Sequence, residues 1–155
     1  MPNVLFLCTG NSCRSQIAEG WLRHLAGDRF SAYSAGLEPS SLNPLAVEAM
    51  QEIGIDISGQ HSKDVVGLLG QHFPYIITVC DRARDSCPIF PGVCIRQHWP
   101  IEDPARAPGS HDQRMQVFRT TRDEIGAQVR SFIQASNAVQ ASSDHSAAPH
   151  SASAA

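Results

Sequence analysis

A chain of 155 residues is long enough for one domain with a buried core and too short for two comfortable ones. Its 42% apolar and 17% charged residues exclude a disordered or fibrous protein, and a formal net charge of −3 gives no basic footing for nucleic acid or a membrane surface. No apolar run approaches a membrane span, and the N-terminus lacks a charged region followed by a long apolar one, so a cytoplasmic protein is expected. The five cysteines are an odd count and cannot all pair; in the cytosol most are expected to stay reduced.

The run Asn3-Val4-Leu5-Phe6-Leu7 ends at Cys8 and predicts a strand buried on both faces. A polar loop follows, and then a helix over 16–26, with Ile17, Trp21 and Leu25 on one face and Gly27 as its stop. Residues 29–35 predict a second strand, closed by Gly36. Asn43-Pro44 starts the next helix, which is expected to run to Ile53 and end at Gly54. A weaker helix is expected over 62–69. Tyr75-Ile76-Ile77-Thr78-Val79 predicts a strand ending at Cys80, and 92–99 predicts another, interrupted by charge. The last helix, over 111–134, carries Met115, Phe118, Ile125, Val129 and Phe132 as its inward stripe, with Arg114, Arg119 and Arg130 facing water. From residue 136 the composition collapses to Ser, Ala, His and Asn, so a domain over 1–135 and a disordered tail over 136–155 are expected.

Alternating strands and helices predict an α/β three-layer sandwich: a four-stranded parallel sheet with helices on both faces. A flavodoxin-like order, 2-1-3-4, sets the first and third strands side by side, with the site beyond their carboxyl ends. Those strands end in Cys8 and Cys80, so two cysteines distant in sequence are expected in one crevice.

The segment Cys8-Thr9-Gly10-Asn11-Ser12-Cys13-Arg14-Ser15 lies between strand and helix, where backbone N–H groups and a helix N-terminus bind an oxyanion. The same dipoles predict a lowered pKa for Cys8, making it a nucleophile. Arg14 offers a planar fork to a tetrahedral oxyanion, Gly10 permits a tight turn, and Ser12 and Ser15 can donate to sulfur or anion. A nucleotide-binding loop is excluded because no Gly-Lys-[Ser/Thr] follows. A proton donor is also needed for the leaving oxygen. Asp103, in the loop after the fourth strand, is the candidate, with Glu102 second; a turn start before Pro104 accounts for Asp103 equally well.

These residues carry a resemblance. Residues 8–15 followed by Gln16-Ile17-Ala18-Glu19-Gly20 resemble the low-molecular-weight tyrosine phosphatase superfamily, and specifically its thioredoxin-coupled arsenate reductases. The likeness spans about 3–134, with SAG at 34–36, NPLAVEAM at 43–50, GIDIS at 54–58, HW at 98–99 and EDPA at 102–105. Its most specific element is TVCDRARDSCP at 78–88, where Cys80 and Cys87 resemble the family's redox pair. Phosphatase members typically carry Tyr after the Asp-Pro, where this chain has Ala105.

The resemblance implies a phosphotyrosine phosphatase I-like fold and a reduction of arsenate to arsenite. Arsenate, with phosphate as its analogue, docks in the loop formed by Thr9, Gly10, Asn11, Ser12, Cys13 and Arg14. Cys8 attacks arsenic, Asp103 protonates the departing oxygen, and Ser15 supports the sulfur. Cys80 then attacks Cys8, and Cys87 takes over to leave a Cys80–Cys87 disulfide that thioredoxin reduces. The implied protein is a monomer with no tightly bound cofactor. The competing reading is a tyrosine phosphatase, which needs only Cys8, Arg14 and Asp103. A non-enzymatic thiol sensor or arsenite binder is the third, and it leaves Arg14 and Asp103 without a purpose. Cys13 is read as structural. Cys94 has no place in the relay and is read as a strand residue, with a decoy disulfide to Cys87 as the alternative. Family members can hold potassium with residues matching Asn11, Glu19 and Ser34, but the pattern is altered at His61-Ser62-Lys63 and no metal is assigned. Zinc at Cys80, Cys87, Cys94 and His98 is set aside for want of a tight Cys-x-x-Cys spacing.

Overall fold

The first strand, β1 (Asn3–Cys8), is apolar after Asn3 and lies at the centre of the sheet, with Val4 to Leu7 fully buried. In the computed structural model, which describes the chain over residues 1–154 and its side chains over 1–137, β2 (Ser31–Gly36) and β3 (Tyr75–Thr78) flank it. The edge strand is β4 (Ile95–His98). All pairings are parallel and the order is β2-β1-β3-β4, as the alternating pattern predicts. Leu7 pairs with Thr78, and the Val79 N–H donates to the Leu7 carbonyl at 3.0 Å. That register brings the β1 and β3 ends, and hence Cys8 and Cys80, to one rim.

Helices α1 (Arg14–Ala26), α2 (Pro44–Gln51), α3 (Asp81–Asp85) and α4 (His111–Ala154) complete the layers. Asn43 caps α2 as expected, its side chain accepting from the Leu45 N–H at 2.9 Å. Met115, Phe118, Ile125, Val129 and Phe132 are the buried stripe of α4. Arg119 and Arg130 do not simply face water: Arg119 forks onto Glu52, and Arg130 lies 4.8 Å above the Trp21 ring. Other boundaries shift. The helix expected over 62–69 is only a 3-10 turn at Val65–Leu68, because Ser62 and Lys63 are committed to hydrogen bonds with Asn11. The strand expected over 92–99 begins at Ile95, since Gly92 (φ +84°) turns the chain just before it. Cys94 therefore stands one residue outside the sheet. The segment after Cys80, read as merely polar, is the short helix α3, with the Cys80 side chain at its cap. α4 continues past the stop expected near Gln134; beyond Asn137 the expected tail lies outside the described side chains.

Candidate active site

The loop between β1 and α1 is held by its own buried polar groups. Asn11 is fully buried with φ +50°, a left-handed conformation that Asn tolerates better than most side chains. Its Oδ1 accepts from the Lys63 N–H at 2.9 Å and from Gln16 Nε2 at 3.1 Å, which fixes the amide's orientation. Its Nδ2 then donates to Ser15 Oγ at 2.8 Å. The Ser15 Oγ is also hydrogen-bonded with Cys8 Sγ, 2.8 Å away. The Asn11 backbone N–H reaches the same sulfur at 3.2 Å. Gly36 is what lets β2 approach: a Cβ there would lie 2.5 Å from the Thr9 carbonyl oxygen and 2.9 Å from the Asn11 nitrogen.

These donors do not make Cys8 the low-pKa thiol expected from the loop. Cys8 is 3% exposed, and burial pushes its thiol up, against the pull of Ser15, the Asn11 amide and Arg14. Desolvation disfavours the charged form more than the loop's donors favour it. Cys13 is likewise pushed up, to about 11, chiefly by burial.

Arg14 is anchored by Nη1, which donates to the Ile101 carbonyl at 2.9 Å, and its Nη2 lies 3.9 Å from Asp103 Oδ2. Of the two readings made of Asp103, the turn start is what the structure shows directly. Asp103 caps a 3-10 turn at Pro104–Arg106 by accepting from the Ala105 N–H, and it faces Arg14 across the cleft. Glu102 is exposed. The cleft, about 730 Å³, is lined by Cys8, Arg14, Cys80, Arg82 and Asp103 among others. The N-terminus of α1 has no side-chain cap, leaving its first N–H groups for an anion.

Cys80 lines the same cleft, and its sulfur lies 3.4 Å from Thr9 Oγ1, next in sequence to Cys8. Cys87 does not line it. It sits beyond α3 and accepts from Arg96 Nη1 at 2.8 Å, while burial pushes its thiol up and Arg96 pulls it down. Between the two cysteines α3 is tied to the rest of the fold through its first two residues. Asp81 meets His98 Nε2 at 3.2 Å and Arg84 at 3.7 Å, and Arg82 pairs with Glu38 across the cleft mouth. Arg82 and Arg84 are thus spent on carboxylates.

Two contributors escaped sequence reasoning. Arg96 had no motif to mark it. Lys63 was visible only as an altered pattern: its Nζ lies 2.6 Å from the His61 carbonyl oxygen, 3.4 Å from Ser34 Oγ and 3.7 Å from Glu19 Oε1. An ammonium thus faces the buried Glu19 carboxylate. Among the described residues no three His, Cys, Asp or Glu side chains cluster as metal ligands do.

Comparison with known proteins agrees with this geometry. The profile of the family described as low molecular weight phosphotyrosine protein phosphatase matches residues 3–143. An arsenate reductase of Halalkalibacterium halodurans is 48% identical over 131 residues, 84% of this chain and 94% of that protein. A solved arsenate reductase in its phosphate-binding state superposes with a TM-score of 0.71 at 34% identity, covering 86% of this chain and 98% of the other. A thioredoxin-dependent arsenate reductase of Corynebacterium glutamicum superposes with a TM-score of 0.65 at 29% identity, covering 87% of this chain and 61% of the other.

Proposed function

Because the chain belongs to the low molecular weight phosphotyrosine protein phosphatase family, in its arsenate reductase branch, we propose that it reduces arsenate through Cys8, Cys80 and Cys87 and is recycled by thioredoxin. Arsenate reduction itself is the activity named for the curated relatives reported above. The observation that carries the residue-level reading is Cys80 on the rim of the Cys8 cleft, which a phosphatase does not need.

The arsenate dianion enters against Arg14 and the α1 N-terminus and, being a base, takes up the Cys8 proton. The thiolate is then held by Ser15 and the Asn11 N–H as it attacks arsenic, and Asp103 protonates the departing oxygen, which leaves as water. Cys80 attacks the Cys8 sulfur. The S–As bond breaks with its electron pair on arsenic, so two thiols are oxidised to a disulfide and arsenic(V) is reduced to arsenite. Cys87 next attacks Cys80. Cys80 caps one end of α3, and Cys87 lies past the other end with its sulfur held by Arg96, so the exchange has to draw the two ends of this five-residue helix together. α3 must therefore unwind. Reducing equivalents come from thioredoxin in the cytoplasm, and the protein works as a monomer.

The decisive comparison is Cys80→Ser. Arsenate-dependent NADPH consumption with thioredoxin and thioredoxin reductase is expected to vanish, while hydrolysis of p-nitrophenyl phosphate, which needs Cys8, Arg14 and Asp103, survives. Full-rate arsenate reduction in that variant would refute the relay.

A further inference from the structure

Arg96 stands outside the Cys8 cleft, yet its guanidinium rests on a cysteine sulfur. Nη1 donates to Cys87 Sγ at 2.8 Å and Nη2 to the Pro88 carbonyl at 3.1 Å, so the fork is fixed across the sulfur and the backbone beside it. The arginines of α3 are placed otherwise: Arg82 pairs with Glu38, and Arg84 with Asp81 and Asp85. Arg96 belongs to the sheet, paired with Ile76 in the β3–β4 register. Its strand entry is set by Gly92 at φ +84° and by His72 Nε2, which meets the Val93 carbonyl at 2.7 Å. The donor therefore sits on a fixed element and not on the helix that has to unwind. Between α3 and β4 lies a cavity of about 220 Å³, lined by Cys87 and Arg96 and by Ile76 and Thr78 of β3. It borders both Cys87 and the last residue of β3, two positions before Cys80.

We propose that Arg96 is a catalytic residue of the last exchange, its guanidinium holding the Cys87 thiolate as Cys87 attacks the Cys8–Cys80 disulfide. The inference rests on the relay proposed above. Only an ionised thiol attacks a disulfide, and Cys87 is half-buried, where burial pushes the thiol up and the guanidinium pulls it down. An arginine suits this task because its charge does not titrate in the range where thiols do. Cys87 gives its proton to solvent and its sulfur attacks Cys80 Sγ. The Cys80–Cys87 bond forms and the Cys8–Cys80 bond breaks. Cys8 leaves as a thiolate, met by Ser15 and the Asn11 N–H, and is reprotonated. No net electrons move in this step.

The test begins with pH-dependent alkylation of the reduced full chain by iodoacetamide, Cys87 being followed by peptide mapping. In Arg96→Gln the Cys87 titration is expected to move up by about one pH unit. Its alkylation at about pH 7.5 then slows roughly three- to fivefold, because the less acidic thiolate is the better nucleophile and offsets part of its scarcity. After one round of arsenate oxidation without reductant, Arg96→Gln is expected to accumulate the Cys8–Cys80 linkage and to pass it to Cys80–Cys87 more slowly by a similar factor. The gap is expected to close as pH rises through the Cys87 titration, and Arg96→Lys to recover most of the rate at neutral pH; a merely structural contact would not respond to pH. Unchanged Cys87 alkylation in Arg96→Gln, or a slowed exchange whose gap is the same at every pH, overturns the proposal. Cys87→Ser separates the two levels. A Cys8–Cys80 linkage there keeps the relay standing even where Arg96 has failed, and no linkage at all overturns both.

Discussion

The two regions that carry the proposed relay are built in opposite ways. Around Cys8, the groups that hold the sulfur and the loop are buried and fixed: Asn11 and Ser15 are fully buried, and each amide of the network has its partner within hydrogen-bonding distance. From Asp81 to Arg96 the chain is held mostly by exposed ion pairs on a helix of five residues. Buried hydrogen bonds are costly to break because the freed groups meet no water, whereas exposed ion pairs contribute about 0.2–1 kcal/mol each. The first design suits a step in which sulfur and oxyanion must be placed accurately. The second suits a step in which one cysteine must travel to another.

This contrast predicts a large loss at the loop. Asn11→Ala removes the partner of the Lys63 N–H, of Gln16 Nε2 and of Ser15 Oγ, and it puts a β-carbon without a polar side chain at φ +50°. Urea unfolding is expected to report a destabilisation of about 3–5 kcal/mol. Asn11→Gly is expected to recover about 1 kcal/mol of it, the share due to the backbone conformation. A loss of less than 1 kcal/mol would erase the distinction between the two regions.

A smaller effect tests how dry the loop is. Cys13 titrates at 9.0 in the ordinary thiol and about 11 in the fold, raised first by burial. The unfolded chain ionises first, so this group's contribution to stability is complete below the ordinary value and declines as pH rises through the folded one. That decline is about 2–3 kcal/mol. Urea melts of wild type and Cys13→Ala at pH 8 and near pH 11 are expected to converge at the higher pH by that amount. Parallel curves would mean that water reaches the loop.

The smallest change concerns α3. Asp81→Ala frees His98 and Arg84 and removes the acidic residue from the first turn. About 1 kcal/mol of local helix stability is expected to go, within the range for exposed pairs and a helix-terminal charge. The Cys80–Cys87 disulfide is then expected to form several-fold faster after arsenate oxidation, read by quenched alkylation. An unchanged rate would show that unwinding of α3 does not limit the exchange.

Much of this protein was legible in its residues. The strand ending at Cys8, the stripe of α4 and the Asn43-Pro44 start all follow from patterns a few residues long, because burial and capping act locally. From the alternation of strands and helices came the parallel order, and with it the meeting of Cys8 and Cys80. The oxyanion loop and the Cys80/Cys87 spacing were visible for the same reason: their chemistry depends on residues close together in the chain.

Tertiary structure decided what depends on distant partners. Burial by the surrounding core raised Cys8 where the loop dipoles alone predicted a lowered thiol. Lys63 became the ammonium facing Glu19 only because the chain before the 3-10 turn folds over Asn11. Arg96 found Cys87 because Gly92 turned the strand entry back on itself. Sequence pointed to the candidate nucleophile and to the two cysteines of the proposed relay; the fold set their burial and their reach, because solvation and distance belong to the whole packed molecule.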